Sequence, residues 1–146
     1  MGWYKFIIWV QLFASAAVNL LGGWRALRGV QVNLGGKPAQ LAYAYFSGLQ
    51  TLNVCYGLLL MLLGVWALWV RFRLASYRVG APKAYLRLLA MQIALPLGYF
   101  CAMMFLTGLP PLDFLDGLNT GIALSAAVLL LVSQPYFDNR ERAFRR

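Results

Sequence analysis

Four long apolar segments separated by polar connections dominate the pattern of this 146-residue chain. They cover approximately residues 6–24, 46–70, 85–106 and 114–133, and their interiors lack Asp, Glu, Lys and Arg. About 20 apolar residues suffice for a helix to cross the hydrocarbon core of a bilayer. The pattern therefore predicts an all-α integral membrane four-helix bundle, a single transmembrane domain over residues 1–146 with a basic tail at 135–146.

Each predicted span also carries a few uncharged polar side chains. Gln11, Ser15 and Asn19 lie four residues apart, so a helix places them on one face. An unpaired amide in hydrocarbon costs several kcal/mol, so we expect these groups to face neighbouring helices. They would serve either contacts between helices, which we favour, with hydrogen bonds between the polar faces of the first and second spans, or a polar cavity for a substrate. The residues considered for either role are Gln11, Ser15, Asn19, Gln50, Asn53, Gln92, Pro96 and Tyr99.

Small residues and one proline add detail to the predicted spans. Pro96 lies in the middle of the third span and removes the helical partner of the Gln92 carbonyl, which predicts a kink and a free acceptor near Tyr99. Small residues let helix backbones approach closely. Gly23 lies on the polar face of the first span, and Gly57 and Gly64 lie on that of the second. On the fourth span, small residues recur every four positions at Gly117, Gly121 and Ser125.

Composition and charge agree with a membrane location. Hydrophobic residues make up 62% of the chain, charged residues only 12%, and the mean hydropathy is +0.66. The net charge is +9, but the basic residues lie between apolar runs rather than on one polar face, so nucleic-acid binding is not expected. Ten of the 13 Lys and Arg flank one side of the predicted membrane. The positive-inside rule then predicts that both termini and the middle loop are cytoplasmic.

The middle loop and the tail combine arginines with aromatic residues. Each cation close to an anionic leaflet contributes about 1 kcal/mol to membrane attachment. We therefore expect the bilayer with anionic headgroups as a partner, with specific docking of an acidic lipid or a cytoplasmic protein as the alternative. The expected lipid contacts are Arg71, Arg73, Arg78, Lys83, Arg87, Arg140 and Arg142.

The first span has a competing interpretation as a secretory signal. Lys5, a short apolar run and the triplet Ala14-Ser15-Ala16 resemble such a signal and its cleavage site. The apolar stretch, however, continues to Trp24, and the charged segment before it is short. We expect the span to be retained.

Residue types that carry chemistry are scarce. Histidine is absent, and the cysteines, Cys55 and Cys101, lie in apolar runs without a CxxC pattern, so no metal or cofactor is expected. Asp113 and Asp116 precede the last span, where a helix cap explains them better than an acid–base pair. No membrane-embedded charge is present to couple transport to protons. We expect a protein that is not an enzyme.

Several pieces of the chain resemble a group of small four-span membrane proteins from Gram-positive bacteria. The similar pieces are WYKF (3–6), YAYFSGLQTLNVCYG (43–57), RFRLASY (71–77) with Pro82 beyond it, and YFDNRERAF (136–144). The group has no established activity. The resemblance therefore implies four-span topology and a bacterial plasma membrane rather than a reaction.

The expected role is that of a non-enzymatic accessory or interaction subunit, held by helix packing in a homo-oligomer or a larger membrane complex. A small-solute transporter or channel subunit is the main alternative, with a polar cavity near Gln11, Asn19, Asn53, Gln92 and Pro96. A membrane enzyme acting on lipid, using Asp113, is the third.

Overall fold

The computed structural model describes residues 2–28, 44–108 and 117–139 and contains four long helices in those ranges. The predicted all-α fold is confirmed. Helix α1 comprises Gly2–Phe6, a π-helical turn at Ile7–Gln11, and Leu12–Leu27. The other helices are α2 (Leu49–Ala75), α3 (Ala81–Thr107) and α4 (Gly117–Asp138).

All four helices are long and apolar enough to cross a membrane. The candidate spans are Tyr4–Leu27, Leu49–Ala75, Ala81–Thr107 and Thr120–Asp138, with mean hydropathies of 1.5 to 1.9. The shortest has 19 residues, or about 28 Å of helix, close to the thickness of the hydrocarbon core. The chain is thus a multi-pass membrane protein built as a helix bundle.

Helices α1 and α2 form the most extensive contact of the bundle. Their backbones meet at Gly23 and Gly57, where a Cβ on either glycine would lie under 3 Å from the carbonyl oxygen of the other. Gly64 makes a second close approach, to the Ala16 carbonyl and the Leu20 side chain. The small residues of these two helices therefore allow contact between backbones.

The remaining helices follow in chain order around the bundle. Helix α3 packs against both α2 and α4, whereas α1 and α4 barely touch. The main hydrophobic core lies in the half of the bundle that holds the α2–α3 turn, around Ile7, Leu12, Val70 and Tyr85. Helix α4 contributes few buried residues, so one seam of the bundle is open.

The α2–α3 turn lies at one end of the bundle, where it packs together with the start of α1 and the end of α4. The Tyr4 hydroxyl donates to the Leu74 carbonyl in the last turn of α2, and the Tyr4 ring stacks on Tyr77. Phe137 of α4 meets the Tyr85 ring edge-on. We call this the basic end, because its described residues include Lys5, Arg71, Arg73, Arg78, Lys83 and Arg87.

Two prolines lie inside helices. Helix α3 continues through Pro96 to Thr107. Helix α4 continues through Pro135 to Asp138, five residues beyond the predicted span. Burial of Phe137 against the core holds this last turn, and the Asn139 amide donates to the Pro135 carbonyl at 3.2 Å. Asp113, Asp116, Arg140, Arg142 and most of the predicted tail lie outside the described residues.

Candidate functional site: the groove between α1 and α4

An open groove of about 480 Å³ lies along the seam between α1 and α4, with Gln92 of α3 also lining it. From Phe6 to Asn19 the groove follows α1 for about 20 Å. Its apolar walls are formed by Phe6, Val10, Ala14, Val18, Ile122 and Leu129, and its polar or small positions are Gln11, Ser15, Asn19, Gln92, Gly121 and Ser125.

A hydrogen-bonded set of polar side chains lies along the groove. The Ser15 hydroxyl oxygen accepts hydrogen bonds from the side-chain amides of Gln92 and of Asn19, the latter at 3.4 Å. One turn earlier, Gln11 Oε1 accepts a hydrogen bond from the Tyr85 hydroxyl at 3.0 Å. The polar face of α1 is therefore bonded to α3 at two levels.

The amide of Asn19 is only partly satisfied. The side chain is 1% exposed and lines the groove, yet its Oδ1 has no hydrogen-bond donor among the described residues. A buried acceptor without a donor costs free energy, about 1–3 kcal/mol by mutational measures. Among the described side chains that line the groove, Asn19 thus carries the buried acceptor without a donor.

The π-helical turn at Ile7–Gln11 ends on the first polar residue of the groove. The Leu12 amide donates to the Ile7 carbonyl, five residues back, which widens the turn. Within it, Ile7, Ile8 and Gln11 are all buried. Single π-helical turns inside α-helices occur frequently at functional sites, and this one directs Gln11 towards Tyr85 of α3.

A second polar pair lies between α2 and α3, away from the groove. The Tyr99 hydroxyl donates to Asn53 Oδ1 at 2.6 Å, and the Tyr99 ring stacks on Tyr56 with ring centroids 4.1 Å apart. A smaller pocket of about 300 Å³ there is lined mainly by apolar side chains, including Leu52, Leu59 and Leu95.

The structure divides the residues that the sequence grouped as one polar cavity. Gln11, Ser15, Asn19 and Gln92 come together in the groove, whereas Asn53 and Tyr99 form the separate pair. Gln50 is exposed in the first turn of α2, and half-buried Pro96 lines neither pocket.

The basic residues expected to contact lipid differ in their environments. Arg78, Lys83 and Arg87 are exposed. Arg73 is half-buried, donates to the Val79 carbonyl at 3.3 Å and lies over the Trp69 ring. Arg71 is also half-buried, but it contacts aromatic rings of α1 as well as of its own helix.

Sequence reasoning missed the role of Tyr85. Its position at the start of a span is typical of an interfacial aromatic residue, but the side chain is fully buried and bonded to Gln11. A buried tyrosine hydroxyl needs a hydrogen-bond partner. The polar face of α1 was the feature of the sequence that could have indicated one for Tyr85. Which helix that face would meet is not encoded in its spacing.

Among the described residues, no group of three or more His, Cys, Asp or Glu side chains could hold a metal ion. Cys55 and Cys101 are free, exposed thiols. Comparison of the chain with models of protein families, with curated proteins and with solved structures gives no match.

Proposed function

We propose that this protein is a non-enzymatic accessory subunit whose α1–α4 groove receives a transmembrane helix of a partner membrane protein. The observation that supports this most directly is the open seam, in which α1 and α4 barely touch and the Asn19 acceptor has no described donor. The groove side chains are uncharged, so they offer hydrogen bonds and apolar contact rather than acid–base chemistry.

The shape of the groove suits a partner helix that lies along its opening and projects side chains into it. Its length of about 20 Å corresponds to roughly 13 residues of a partner helix. Gly121 has open space around it and Ser125 is exposed, so α4 offers small positions on which another helix could pack closely. Because the Asn19 oxygen is buried, its side chain would have to rotate to accept a hydrogen bond from a Ser, Thr, Asn or Gln of that helix.

Charge favours a different protein over a second copy of this chain as the partner. The described basic end carries six cationic side chains, and the whole chain has a net charge of +9. Two parallel copies would bring these ends together, and their repulsion would oppose association. A partner with acidic residues next to its transmembrane helix would be attracted instead.

Co-purification from gently solubilised native membranes tests this role. Gly121→Leu fills the groove, and because no atom lies within 4 Å of the added Cβ, the variant should still fold. The matched control is Gly98→Leu on α3, where the surroundings are equally open but lie outside the α1–α4 groove. We expect the partner to be lost from Gly121→Leu and retained by Gly98→Leu; equal recovery from both would contradict the proposal.

A small-solute transporter or channel subunit is a second candidate, favoured by the polar side chains that line a groove at mid-membrane. Gln92→Leu in a folded protein reconstituted into liposomes tests it. Loss of a selective solute flux in the variant would favour transport over the accessory role. Flux at the level of empty liposomes for both the unmodified protein and Gln92→Leu would exclude transport.

The third candidate is an enzyme that acts on lipid. Lipid turnover abolished by Asp113→Asn would indicate it.

The proposed location is a bacterial plasma membrane, with the basic end and both termini in the cytoplasm. The clustering of described cationic side chains at the α2–α3 turn supports this orientation through the positive-inside rule. The resemblance noted above supports the bacterial origin.

A further inference from the structure

Arg71 lies in an aromatic cluster built by two helices. Its guanidinium carbon is 4.0 Å from the ring centroid of Phe13, 5.0 Å from that of Trp9 and 5.3 Å from that of Phe72. These distances are within the range of cation–π contact. Arg71 Nε also donates to the carbonyl of Ile8, inside the π-helical turn of α1, at 3.3 Å.

The head of Arg71 lies beside the first half of the candidate span of α1. Its contacts Ile8 and Phe13 are four and nine residues past Tyr4, where that span begins, or about 6 and 13 Å along the helix. Side chains tilt towards the N-terminus of their own helix. For α2 that direction leads from the basic end into the membrane, so the side chain of Arg71 extends inward. A cation at such a depth is costly and usually functional.

The contacts of Arg71 leave most of its hydrogen-bonding capacity unused. A guanidinium group has five N–H donors, and only Nε has a hydrogen-bond acceptor among the described residues. No carboxylate of the described residues pairs with Arg71. The aromatic rings attract its positive charge but do not accept hydrogen bonds from the N–H groups in the guanidinium plane. Within the described part of the chain, the site therefore lacks an anionic acceptor for the remaining N–H groups of Arg71.

We propose that Arg71, with Trp9, Phe13 and Phe72, binds the phosphate group of one anionic phospholipid from the leaflet at the basic end. Guanidinium N–H pairs bind phosphate oxygens in a fork geometry that an ammonium group lacks. Trp9 and Phe72 are 64% and 62% exposed, so their rings are available to the acyl chains of the same lipid. Arg71 would thereby gain a counter-ion and the lipid a fixed position.

An anionic lipid fits the site better than a zwitterionic one. The described basic end has only Asp138 as an acidic residue against six cationic side chains, so a net negative lipid neutralises local charge. A zwitterionic lipid adds an ammonium group beside this cluster and gives no net neutralisation. The site lies at the α1–α2 contact and does not depend on the proposed partner in the α1–α4 groove.

Native mass spectrometry of the detergent-solubilised full chain, titrated with phosphatidylglycerol or phosphatidylcholine, tests the site. We expect one phosphatidylglycerol to be retained by the unmodified protein and its affinity to fall about tenfold in Arg71→Met. Arg78→Met is the matched control, because it removes an exposed cation from the same end. An equal loss of phosphatidylglycerol affinity in both variants would mean that general surface charge causes the binding, and it would overturn the proposal.

Further variants and ligands keep the test decisive if Arg71→Met does not fold. Arg71→Lys preserves the charge but not the fork geometry, and Phe13→Leu preserves the arginine but removes the nearest ring; both should weaken retention of phosphatidylglycerol. Retention unchanged in both would contradict the site. Displacement of the lipid by inorganic phosphate alone, or equal binding of phosphatidylcholine, would contradict recognition of an anionic phospholipid.

Discussion

Gly23 of α1 and Gly57 of α2 meet backbone to backbone within the membrane-spanning region. A Cβ at Gly23 would lie 2.7 Å from the Gly57 carbonyl oxygen, and a Cβ at Gly57 would lie 2.9 Å from the Gly23 carbonyl oxygen. Such separations are shorter than any normal carbon–oxygen contact. The most extensive helix contact of the bundle therefore depends on the absence of side chains at these two positions.

Gly57→Ala should destabilise the protein. The added methyl group would also lie 3.1 Å from Leu27 Cγ and 3.2 Å from Ala26 Cβ, so α1 and α2 must separate. Overpacking of this kind costs about 1–3 kcal/mol, measured as the loss of unfolding free energy in detergent. Gly98→Ala, on an open helix surface, is the control and should leave the stability almost unchanged. A Gly57→Ala protein as stable as this control would refute the close contact.

Tyr4→Phe should weaken the attachment of α1 to the end of α2. The variant keeps the ring that stacks on Tyr77 but removes the hydroxyl that donates to the Leu74 carbonyl. The expected loss is about 0.5–1.5 kcal/mol in unfolding free energy. Tyr45→Phe removes the same group from an exposed side chain and should have no measurable effect. Equal stabilities of the two variants would exclude a contribution from the Tyr4 hydroxyl.

Tyr77 has a left-handed backbone conformation, with φ of +50°, at the end of α2. The Arg78 amide donates to the Arg73 carbonyl and the Tyr77 amide to the Leu74 carbonyl, which is the Schellman pattern usually completed by glycine. Tyrosine here accepts backbone strain while its ring stacks on Tyr4.

The strain and the stacking at Tyr77 are separable by two substitutions. Tyr77→Ala removes the ring but keeps the Cβ that makes the left-handed backbone conformation unfavourable. Tyr77→Gly removes both the ring and the Cβ, so it relieves the strain. Thermal unfolding in detergent should therefore rank Tyr77→Gly above Tyr77→Ala by about 1 kcal/mol. The opposite order would mean that the turn does not hold this conformation in the folded protein.

Sequence periodicity predicted the helices and the face of α1 that is polar, because both follow from local spacing. It also singled out Gly23 and Gly57, since small residues in a membrane helix indicate close packing. The expected hydrogen bonds between the polar faces of α1 and α2 were wrong, because both faces bond to α3. Ser15 bonds to Gln92 of α3 rather than to α2, because a periodic stripe defines a direction on one helix and not the neighbour that lies there.

The aromatic cluster around Arg71 was unpredictable for a related reason. Its members come from two helices, and a π-helical turn alters the register of α1 between Lys5 and Leu12. Helical spacing places Trp9 and Phe13 on one face of α1, but it does not show that this face meets Arg71 of α2. Similarly, the apolar segment predicted that the fourth helix ends near residue 133, whereas the burial of Phe137 extends α4 to Asp138.

The bond between Ser15 and Gln92 should appear as an energetic coupling between α1 and α3. In a double-mutant cycle of Ser15→Ala and Gln92→Leu, we expect about 0.6 kcal/mol, the usual value for polar pairs in membrane helices. Ser15→Ala with Tyr99→Phe is the control cycle, because Tyr99 bonds to Asn53 instead and the two effects should add. A coupling of zero in the first cycle would show that the bond does not contribute to folding.

The difference in charge between the two ends of the bundle predicts its orientation. The basic end holds the α2–α3 turn, and the described residues at the opposite end carry only Arg25 and Arg28 as cations. Because positive charge is retained on the cytoplasmic side, we expect the α2–α3 turn to face the cytoplasm and the start of α2 to face outward.

Single cysteines at exposed positions of the two ends test this orientation. Cys55 and Cys101 are exposed, so alanine at both should leave the core intact. In that background, Ala44→Cys should react with a membrane-impermeant maleimide in intact cells, because residue 44 precedes α2 at the outer end. Ser76→Cys, in the α2–α3 turn, should react only after permeabilisation. Reversed labelling would place the cationic cluster outside and would contradict the proposed orientation.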